Sequence, residues 1–449
     1  MSLNTEIKDK IKKNSSMFVN FVKNAITASP KVQSNFLDVS SKVAETVLKI
    51  IKDADLIVDL EYKGKDFWSI NRCKTACFVD GGVDKTSIIS TAPLSIRAGS
   101  YIVKPNATTR REFFEESMVF LGDLYDPKNE LYDFADDDFE EDQMLNKKKD
   151  GARIIFEIAT LVKHILLNKK FDYCFLHGPI EATVMPFSVP GFPTFTKFAV
   201  ENMFPFANKK KIDVEARHFI NVYLEALNYV KKSKFPIYGV VETSNSAPYV
   251  KNLLFNYKCK GTISDKDYNN IIKTIKKYKI TDSHLLEIIL SSGQALKPIE
   301  IKKQIQGFTV TAGSPWEEKM DLFPKVFIGY IKVNGHQAPI RIESLNNPKN
   351  LIKDYEYIFG TSRLLPNYGF PVGLNVVDKF AKIPNWMSKA SRKYYATHLL
   401  RQAIKNKDKN TISLAVKILA KKARSWRNRP IGGMSRWWKV IHGNQSVPY

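Results

Sequence analysis

The chain has few cysteines, and their spacing does not fit a disulfide framework or a zinc site. Only four occur among 449 residues, Cys73, Cys77, Cys174 and Cys259. The first two are four positions apart, but no second pair has the spacing of zinc ligands. We therefore expect no structural zinc and no disulfides, and we predict buried thiols in a reducing compartment.

Long apolar segments are also absent. No run approaches the roughly 18 apolar residues that a membrane-spanning helix needs. The lysine-bearing N-terminal stretch has no apolar core of the kind found in secretory signals. We therefore expect a cytoplasmic protein with no membrane partner. Hydrophobic residues still make up 44% of the chain, enough for a large buried core.

Acidic residues are scarce relative to basic ones. The chain has 46 Asp and Glu against 69 Lys and Arg, a formal charge of +23. Such a balance favours a polyanionic partner, either nucleic acid or an anionic membrane surface. A generally basic composition shared by many proteins of the same source is the alternative, since net charge informs association and not fold.

The order of predicted elements divides the chain into three parts. Residues 1–60 are predicted to be helical, and residues 61–384 alternate strands with helices, which indicates a layered α/β fold. The acidic stretch 133–142 is interpreted as an exposed loop, and residues from about 257 to 310 as a Lys-rich helical insertion. Asn334 and Gly335, between two β-rich runs, predict a hairpin.

The last part, residues 385–449, is a basic tail rich in aromatic residues. It contains fifteen Lys and Arg and one acid, Asp408. Basic side chains supply affinity for phosphates, and aromatic rings stack on unpaired bases. Nucleic-acid binding is one interpretation, and docking onto a partner protein is the other. The interleaved aromatic residues are Trp386, Tyr394, Tyr395, Trp426, Trp437 and Trp438.

Asp80 ends a short apolar run and precedes Gly81 and Gly82. This predicts a carboxylate at the end of a buried strand, followed by a turn, with a loop at 97–99 before the next strand. Enzymes that use metal ions for phosphoryl transfer hold carboxylates in such positions. An aspartate that only forms the turn is the alternative. His177 and Glu242 follow later predicted strands, and strand ends are where functional groups gather in α/β folds.

Glu157 lies within a strongly apolar predicted helix, residues 151–170. A buried carboxylate needs a partner or a metal ion. Arg153, one turn earlier, is positioned to pair with it. The sequence alone therefore leaves two roles open for Glu157, metal ligand or partner in a structural ion pair.

Taken together, these segments resemble the NurA family of nucleases, which work with the HerA hexameric ATPase. The resemblance extends from about residue 78 to residue 383. The matching segments are Phe78-Val-Asp80-Gly-Gly82, Arg153-Ile-Ile-Phe-Glu157, Leu176-His177-Gly178-Pro179-Ile180, Val240-Val-Glu242-Thr-Ser244, Arg341-Ile-Glu343 and Gly369-Phe370-Pro371 with the helix reaching Asp378.

The resemblance implies an RNase H-like (PIWI-like) core with a mixed sheet flanked by helices. It also implies a homodimer that cuts DNA with Mn²⁺ or Mg²⁺, two ions in all, and a HerA-like ATPase as partner. The implied metal ligands and catalytic residues are Asp80, Glu157, His177 and Asp378. Contacts to the DNA are expected from Arg97, Arg341, Lys421, Lys422, Arg424 and Arg427.

Three positions depart from the family pattern. His177 replaces an aspartate, Asp378 replaces a histidine, and Phe370 replaces a tyrosine. If the segments carrying His177 and Asp378 meet, the same two ligand types are exchanged between them, and imidazole suits manganese better than magnesium. The alternative is a decayed site in a catalytically impaired DNA-binding or scaffold subunit. Glu242 and Glu343 are further polar residues expected near the site.

Overall fold

The computed structural model describes most of the chain between residues 39 and 413. The described residues are 19, 23, 39–62, 64–85, 94–122, 124–126, 138–181, 187, 192–204, 214–302, 317–365, 367–407, 409–410 and 412–413. Nothing in the part of the chain thus covered is a helix long and apolar enough to cross a membrane.

A nine-stranded sheet forms the centre of the molecule, in the order β1-β7-β8-β9-β6-β5-β2-β3-β4. The strands are β1 (Ile57–Asp59), β2 (Ala76–Lys85), β3 (Leu94–Val103), β4 (Glu112–Gly122), β5 (Tyr173–His177), β6 (Ile237–Val241), β7 (Gln294–Ile301), β8 (Val326–Ile331) and β9 (Ile340–Ser344).

Helices cover both faces of this sheet. Those described are α1 (39–53), α2 (Phe67–Ile70), α3 (Asp138–Leu166), α4 (Lys197–Met203), α5 (Phe219–Lys231), α6 (Pro248–Cys259), α7 (Asp265–Tyr278), α8 (Asp282–Ile289), α9 (Leu351–Ser362), α10 (Val372–Ala381) and α11 (Asn385–Asn406).

The connections give the fold its class. Strands β2, β3 and β4 are antiparallel neighbours. After the long helix α3, β5 returns parallel to β2, and β6 follows parallel to β5. This is the strand order of an RNase H-like core, to which β9, β8, β7 and β1 add an antiparallel extension. The predicted fold class, an RNase H-like α/β fold with a mixed sheet, is confirmed.

Side chains alternate along the central strands between two cores, as the strand period requires. In β2, Cys77 and Val79 join the larger core, which includes the apolar face of α3. Ala76 and Phe78 join the smaller core with α9 and α10. The even-numbered positions of β2 therefore face α10, and the odd-numbered positions face α3. This parity decides where Asp80, Gly81 and Gly82 point.

Two local predictions around β2 and β3 are wrong. Gly81 and Gly82 do not form a turn, because they continue β2 and pair with Ala98 and Arg97 of β3. The predicted loop at 97–99 is likewise part of β3, although a register irregularity follows Ala98 in its pairing with β4. Local preference alone predicts a turn at two consecutive glycines, whereas strand pairing along the whole β2–β3 hairpin determines the conformation that Gly81 and Gly82 adopt.

Three further predictions need correction. The segment from about 257 to 310 contains α7 and α8 but also β7, a strand of the central sheet, so it is not entirely helical. Of the acidic stretch 133–142, residues 138–142 begin α3, and the rest lies outside the described residues. Cys73 and Cys259 are exposed, while Cys77 and Cys174 are buried as predicted. The hairpin at Asn334–Gly335 is confirmed by the pairing of β8 with β9.

Candidate metal centre

Three potential metal ligands converge where β2 and β5 lie side by side. Asp80 comes from β2, His177 ends β5, and Asp378 lies on α10. One ligand atom of each side chain lies within 4.8 Å of the others. Asp80 and His177 both point to the α10 face because side chains alternate along each strand. His177 and Asp378 therefore meet Asp80 although they lie 97 and 298 positions further along the chain.

Asp80 is the buried centre of this cluster, with 4% of its surface exposed. Its Oδ1 atom accepts a hydrogen bond from the backbone N–H of Gly81 at 2.8 Å. Its Oδ2 atom lies 3.0 Å from Nδ1 of His177. Gly178 follows with φ of 110°, a conformation that glycine adopts at little cost, so the chain turns away directly after the imidazole.

The two glycines after Asp80 allow helices to approach the strand from opposite faces. A Cβ atom on Gly81 would lie 3.0 Å from Cγ of Glu157, on α3. A Cβ atom on Gly82 would lie 2.4 Å from the carbonyl oxygen of Ala381, the last residue of α10. The Gly-Gly pair thus provides close packing, and this brings Glu157 and the end of α10 next to Asp80.

Glu157 lies beside the cluster and not within it. Its side chain is 4% exposed and accepts a hydrogen bond from Nη1 of Arg153 at 3.0 Å. Both interpretations of Glu157 thus retain support: the ion pair with Arg153 is present, and the carboxylate packs against Gly81 next to Asp80.

Lys382 is a charged neighbour that the sequence reasoning missed. Its Nζ atom lies 2.5 Å from Oδ2 of Asp378, and its side chain is 67% exposed. The signal was present as an Asp-x-x-x-Lys pair at i, i+4 spacing. This lysine neutralises part of the negative charge of the cluster.

The donor set fits a divalent transition metal. Two carboxylates and an imidazole are ligands that manganese accepts readily, whereas magnesium prefers oxygen alone. Metal–ligand bonds of about 2.1 Å place two ligand atoms at most about 4.2 Å apart. The observed spread of up to 4.8 Å therefore needs only small side-chain rotations to close around one ion. Asp80, His177 and Asp378 would hold it.

The cluster perturbs the protonation of its neighbours. Burial raises the pKa of Glu157 to about 8; the Arg153 guanidinium works against this shift, and the charge of Asp80 adds to it. Burial alone would lower the pKa of His177, but the hydrogen bond and charge of Asp80, with the charges of Glu157 and Asp378, raise it. Near neutral pH, Glu157 therefore favours its protonated form, and His177 keeps its proton to a higher pH than an unperturbed imidazole because its pKa is raised.

We expect the metal-free protein to lose stability as the pH rises from about 4 to 8. Glu157 keeps a proton that the unfolded chain releases above about pH 4.3, so folding becomes less favourable until the pH passes its folded pKa near 8. The stabilisation from protonated His177 is also lost as the pH rises through its raised pKa. Urea unfolding in EDTA at pH 6 and at pH 8 should show a decrease of up to about 3 kcal/mol, at about 1.4 kcal/mol per pH unit for Glu157.

Glu157→Gln is the matched variant for this measurement, since glutamine keeps the size and an acceptor for Arg153. We expect a flatter pH profile in this variant. An identical profile in both proteins would show that Glu157 does not titrate as its burial implies.

The remaining predicted residues lie in different surroundings. Arg97 is ion-paired with Glu116 at 2.7 Å and lies over the ring of Phe114. Phe370 is buried, with its ring centroid 5.5 Å from that of His177. Glu242 is exposed after β6 and is not part of the three-residue cluster. Lys421, Lys422, Arg424 and Arg427 lie outside the described residues.

Arg341 and Glu343 form an internal network. Arg341 Nη2 lies 3.0 Å from Glu343 Oε1, and Glu343 accepts the backbone N–H of Ile180 at 3.0 Å. The pair therefore anchors the turn after His177. Because Arg341 is largely buried, this position does not favour the predicted contact with DNA.

Comparisons with known proteins give matches by structure only. No family model matches the sequence, and no curated protein matches it. The NurA nuclease from Sulfolobus solfataricus is 11% identical, with a TM-score of 0.43, covering 89% of this chain and 98% of that one. NurA bound to dAMP and manganese is 11% identical, with a TM-score of 0.41, covering 86% and 96%. Human ENDOV is 10% identical, with a TM-score of 0.25, covering 78% and 95%.

With TM-scores below 0.5, these likenesses decide neither fold nor function. The fold rests on the strand order of this chain, and any function must be argued from its own side chains.

Proposed function

We propose that this protein is a metal-dependent deoxyribonuclease that hydrolyses phosphodiester bonds. The observation that carries the proposal is the convergence of Asp80, His177 and Asp378 within 4.8 Å, where the middle of β2 lies beside the end of β5. Two carboxylates and an imidazole around a single point are a donor set for a divalent ion. The net charge of +23 supports a polyanionic substrate.

The proposed roles follow from position. Asp80, held by the Gly81 N–H, is the fixed ligand, and His177 and Asp378 complete the set from β5 and α10. An ion held there would polarise a phosphoryl oxygen and activate a water molecule at neutral pH. Glu157, the fourth residue of the predicted set, is proposed to join when it is ionised, as a second ion would require. Manganese is proposed over magnesium because of the imidazole.

Wider features of the proposal come from the resemblance to the NurA family. They are a cytoplasmic homodimer, a HerA-like hexameric ATPase that supplies DNA, and a role in processing DNA ends. These features are proposed on the motifs quoted above. The domain limits 1–60, 61–384 and 385–449 are proposed in the same way. The predicted exchange of ligand types is supported by the adjacency of His177 and Asp378.

A second candidate function, a nuclease-derived scaffold that binds DNA without cutting it, is favoured by two ion pairs. Lys382 lies against Asp378, and Arg153 lies against Glu157. Each of these carboxylates thus has a cationic partner without any metal ion. The nuclease proposal requires the Lys382 contact with Asp378 to yield to the metal.

Calorimetric titration with Mn²⁺, together with cleavage of a DNA oligonucleotide, separates the two functions. We expect binding and cleavage by the native protein, and loss of at least tenfold in Mn²⁺ affinity in Asp378→Asn, because one anionic ligand is removed. Asp172→Asn is the matched control, since Asp172 is also a partly exposed, ion-paired aspartate but precedes β5 at its opposite end. Absence of Mn²⁺ binding by the native protein would support the scaffold.

A further inference from the structure

The helix that follows the candidate metal centre carries no acidic side chain. After α10 ends, Lys382 contacts Asp378, and α11 begins at Asn385. The 22 residues of α11 include no Asp or Glu. Its five Lys and Arg residues are Lys389, Arg392, Lys393, Arg401 and Lys405. A purely cationic helix therefore starts three residues from a side chain that contacts the cluster.

Exposed basic and aromatic residues share one face of this helix. Trp386 and Tyr394 are 68% and 67% exposed, and Lys393, Arg401 and Lys405 are also exposed. At about 100° per residue, these five positions lie within about 120° of one another around the axis. From Trp386 to Lys405 they extend about 28 Å along it. These five residues are called the α11 face.

The chemistry of the α11 face fits single-stranded nucleic acid. Large aromatic side chains this exposed are typical of binding surfaces. Lysine and arginine contact phosphates of any nucleic acid, but flat aromatic rings stack only on bases that are not already stacked in a duplex. Ile404, also exposed there, would suit a protein partner. Most protein surfaces, however, carry charges of both signs, and a helix without acidic residues can pair only with the negative ones. A polyanion with accessible bases would pair with the basic side chains and stack on the aromatic rings.

We propose that the α11 face binds single-stranded nucleic acid and leads the strand to the cluster of Asp80, His177 and Asp378. The binding step stands on the residues of α11 alone. Only the delivery step rests on the proposed nuclease function.

The binding step can be tested in the full chain without metal. Fluorescence anisotropy in EDTA would measure the affinity for labelled oligothymidine and for a duplex of equal length. In the variant Trp386→Ala/Tyr394→Ala, affinity for the single strand should fall about tenfold or more, since each stacked base contributes substantially. Duplex affinity should change less than twofold. Phe198→Ala is the matched control, because Phe198 is equally exposed, 67%, but lies on α4.

The basic residues of the α11 face can be tested by the salt dependence of binding. For single strands, each phosphate contact contributes about 0.7 to the slope of log affinity against log salt. Arg401→Gln/Lys405→Gln should therefore reduce that slope by about 1.4.

Three results would overturn the proposal: unchanged affinity in the aromatic variant, an equal loss for single strand and duplex, or a change in oligomeric mass by light scattering with affinity retained. The last would assign the face to a protein partner. EDTA prevents metal-dependent cleavage, so the binding assay is independent of it. A protein that binds single strands through this face but does not cut them when Mn²⁺ is supplied would refute the nuclease proposal and the delivery step, and leave the binding step standing.

Discussion

Asp80→Asn is expected to lower Mn²⁺-dependent DNA cleavage by about 10³-fold or more. Asparagine keeps the shape of the side chain but removes the charge that a divalent ion requires from its most buried ligand. The loss of several kcal/mol of transition-state stabilisation, about 4 kcal/mol for a factor of 10³, is typical of metal-assisted hydrolysis. Single-turnover cleavage of a labelled oligonucleotide would measure it.

The same variant should change two protonation equilibria that do not depend on activity. The hydrogen bond and the charge of Asp80 raise the pKa of His177, so NMR titration should show that pKa falling in Asp80→Asn. The pKa of Glu157 should fall as well, since the charge of Asp80 helps to raise it. These shifts would show that the cluster is formed in solution as described.

Asp354→Asn is the control for Asp80→Asn. Asp354 is also a buried aspartate, and it accepts a hydrogen bond from the Tyr238 hydroxyl, but it lies on α9 and outside the cluster. The Asp354→Asn variant should retain DNA cleavage within about threefold of the native protein. If Asp80→Asn cleaves DNA within tenfold of the native protein, Asp80 does not hold a catalytic ion and the proposed site is wrong.

Gly82→Val is expected to destabilise the fold by about 3 kcal/mol and to disrupt the site. Its Cβ atom would lie 2.4 Å from the carbonyl oxygen of Ala381. This is a backbone atom at the end of α10, so it cannot rotate away, and α10 must move. Overpacking of this kind costs about 1–3 kcal/mol, occasionally more. Urea unfolding would give the loss of stability.

Two other glycines serve as comparisons for Gly82. Gly335 lies in the β8–β9 turn with nothing within 4 Å of an added Cβ atom, so Gly335→Ala should change stability by less than about 0.5 kcal/mol. Gly81→Ala would meet the flexible side chain of Glu157 and should affect Mn²⁺ binding more than stability. Equal stability losses at Gly82 and Gly335 would refute the packing role of Gly82.

The sequence predicts β5, β6 and the β8–β9 hairpin well, because each is a short apolar run with clear ends, whereas β2 continues past Asp80 and β3 begins before its predicted start. β5 ends at His177, β6 ends at Val241 directly before Glu242, and β8 and β9 flank the turn at Asn334 and Gly335, as predicted. The sequence does not predict β7, because the segment QALKPIEI contains a proline and charged residues and follows the Lys-rich helix α7 and the short helix α8. Its membership of the sheet depends on pairing with β8, which local preferences do not reveal.

The candidate site was less predictable for a related reason. Asp80, Glu157 and His177 could be proposed from strand ends and a buried carboxylate, but Asp378 required the family resemblance, since it lies on a helix far along the chain. Lys382 and the packing role of Gly82 depend on how the end of α10 meets β2. Such contacts between distant segments leave no periodicity in the sequence.

The approach of α3 and α10 to consecutive glycines has a mechanical consequence. Where these two helices meet β2, the strand contributes no side chain, so α10 meets its backbone directly, and α3 reaches it through the side chain of Glu157. A shift of α10 toward the strand would therefore have to move the backbone of β2, because neither Gly82 nor the Ala381 carbonyl can rotate away. The positions of Asp378 on α10 and Asp80 on β2 are in this sense tied to one backbone contact, and the Glu157 side chain on the opposite face is the part that can adjust.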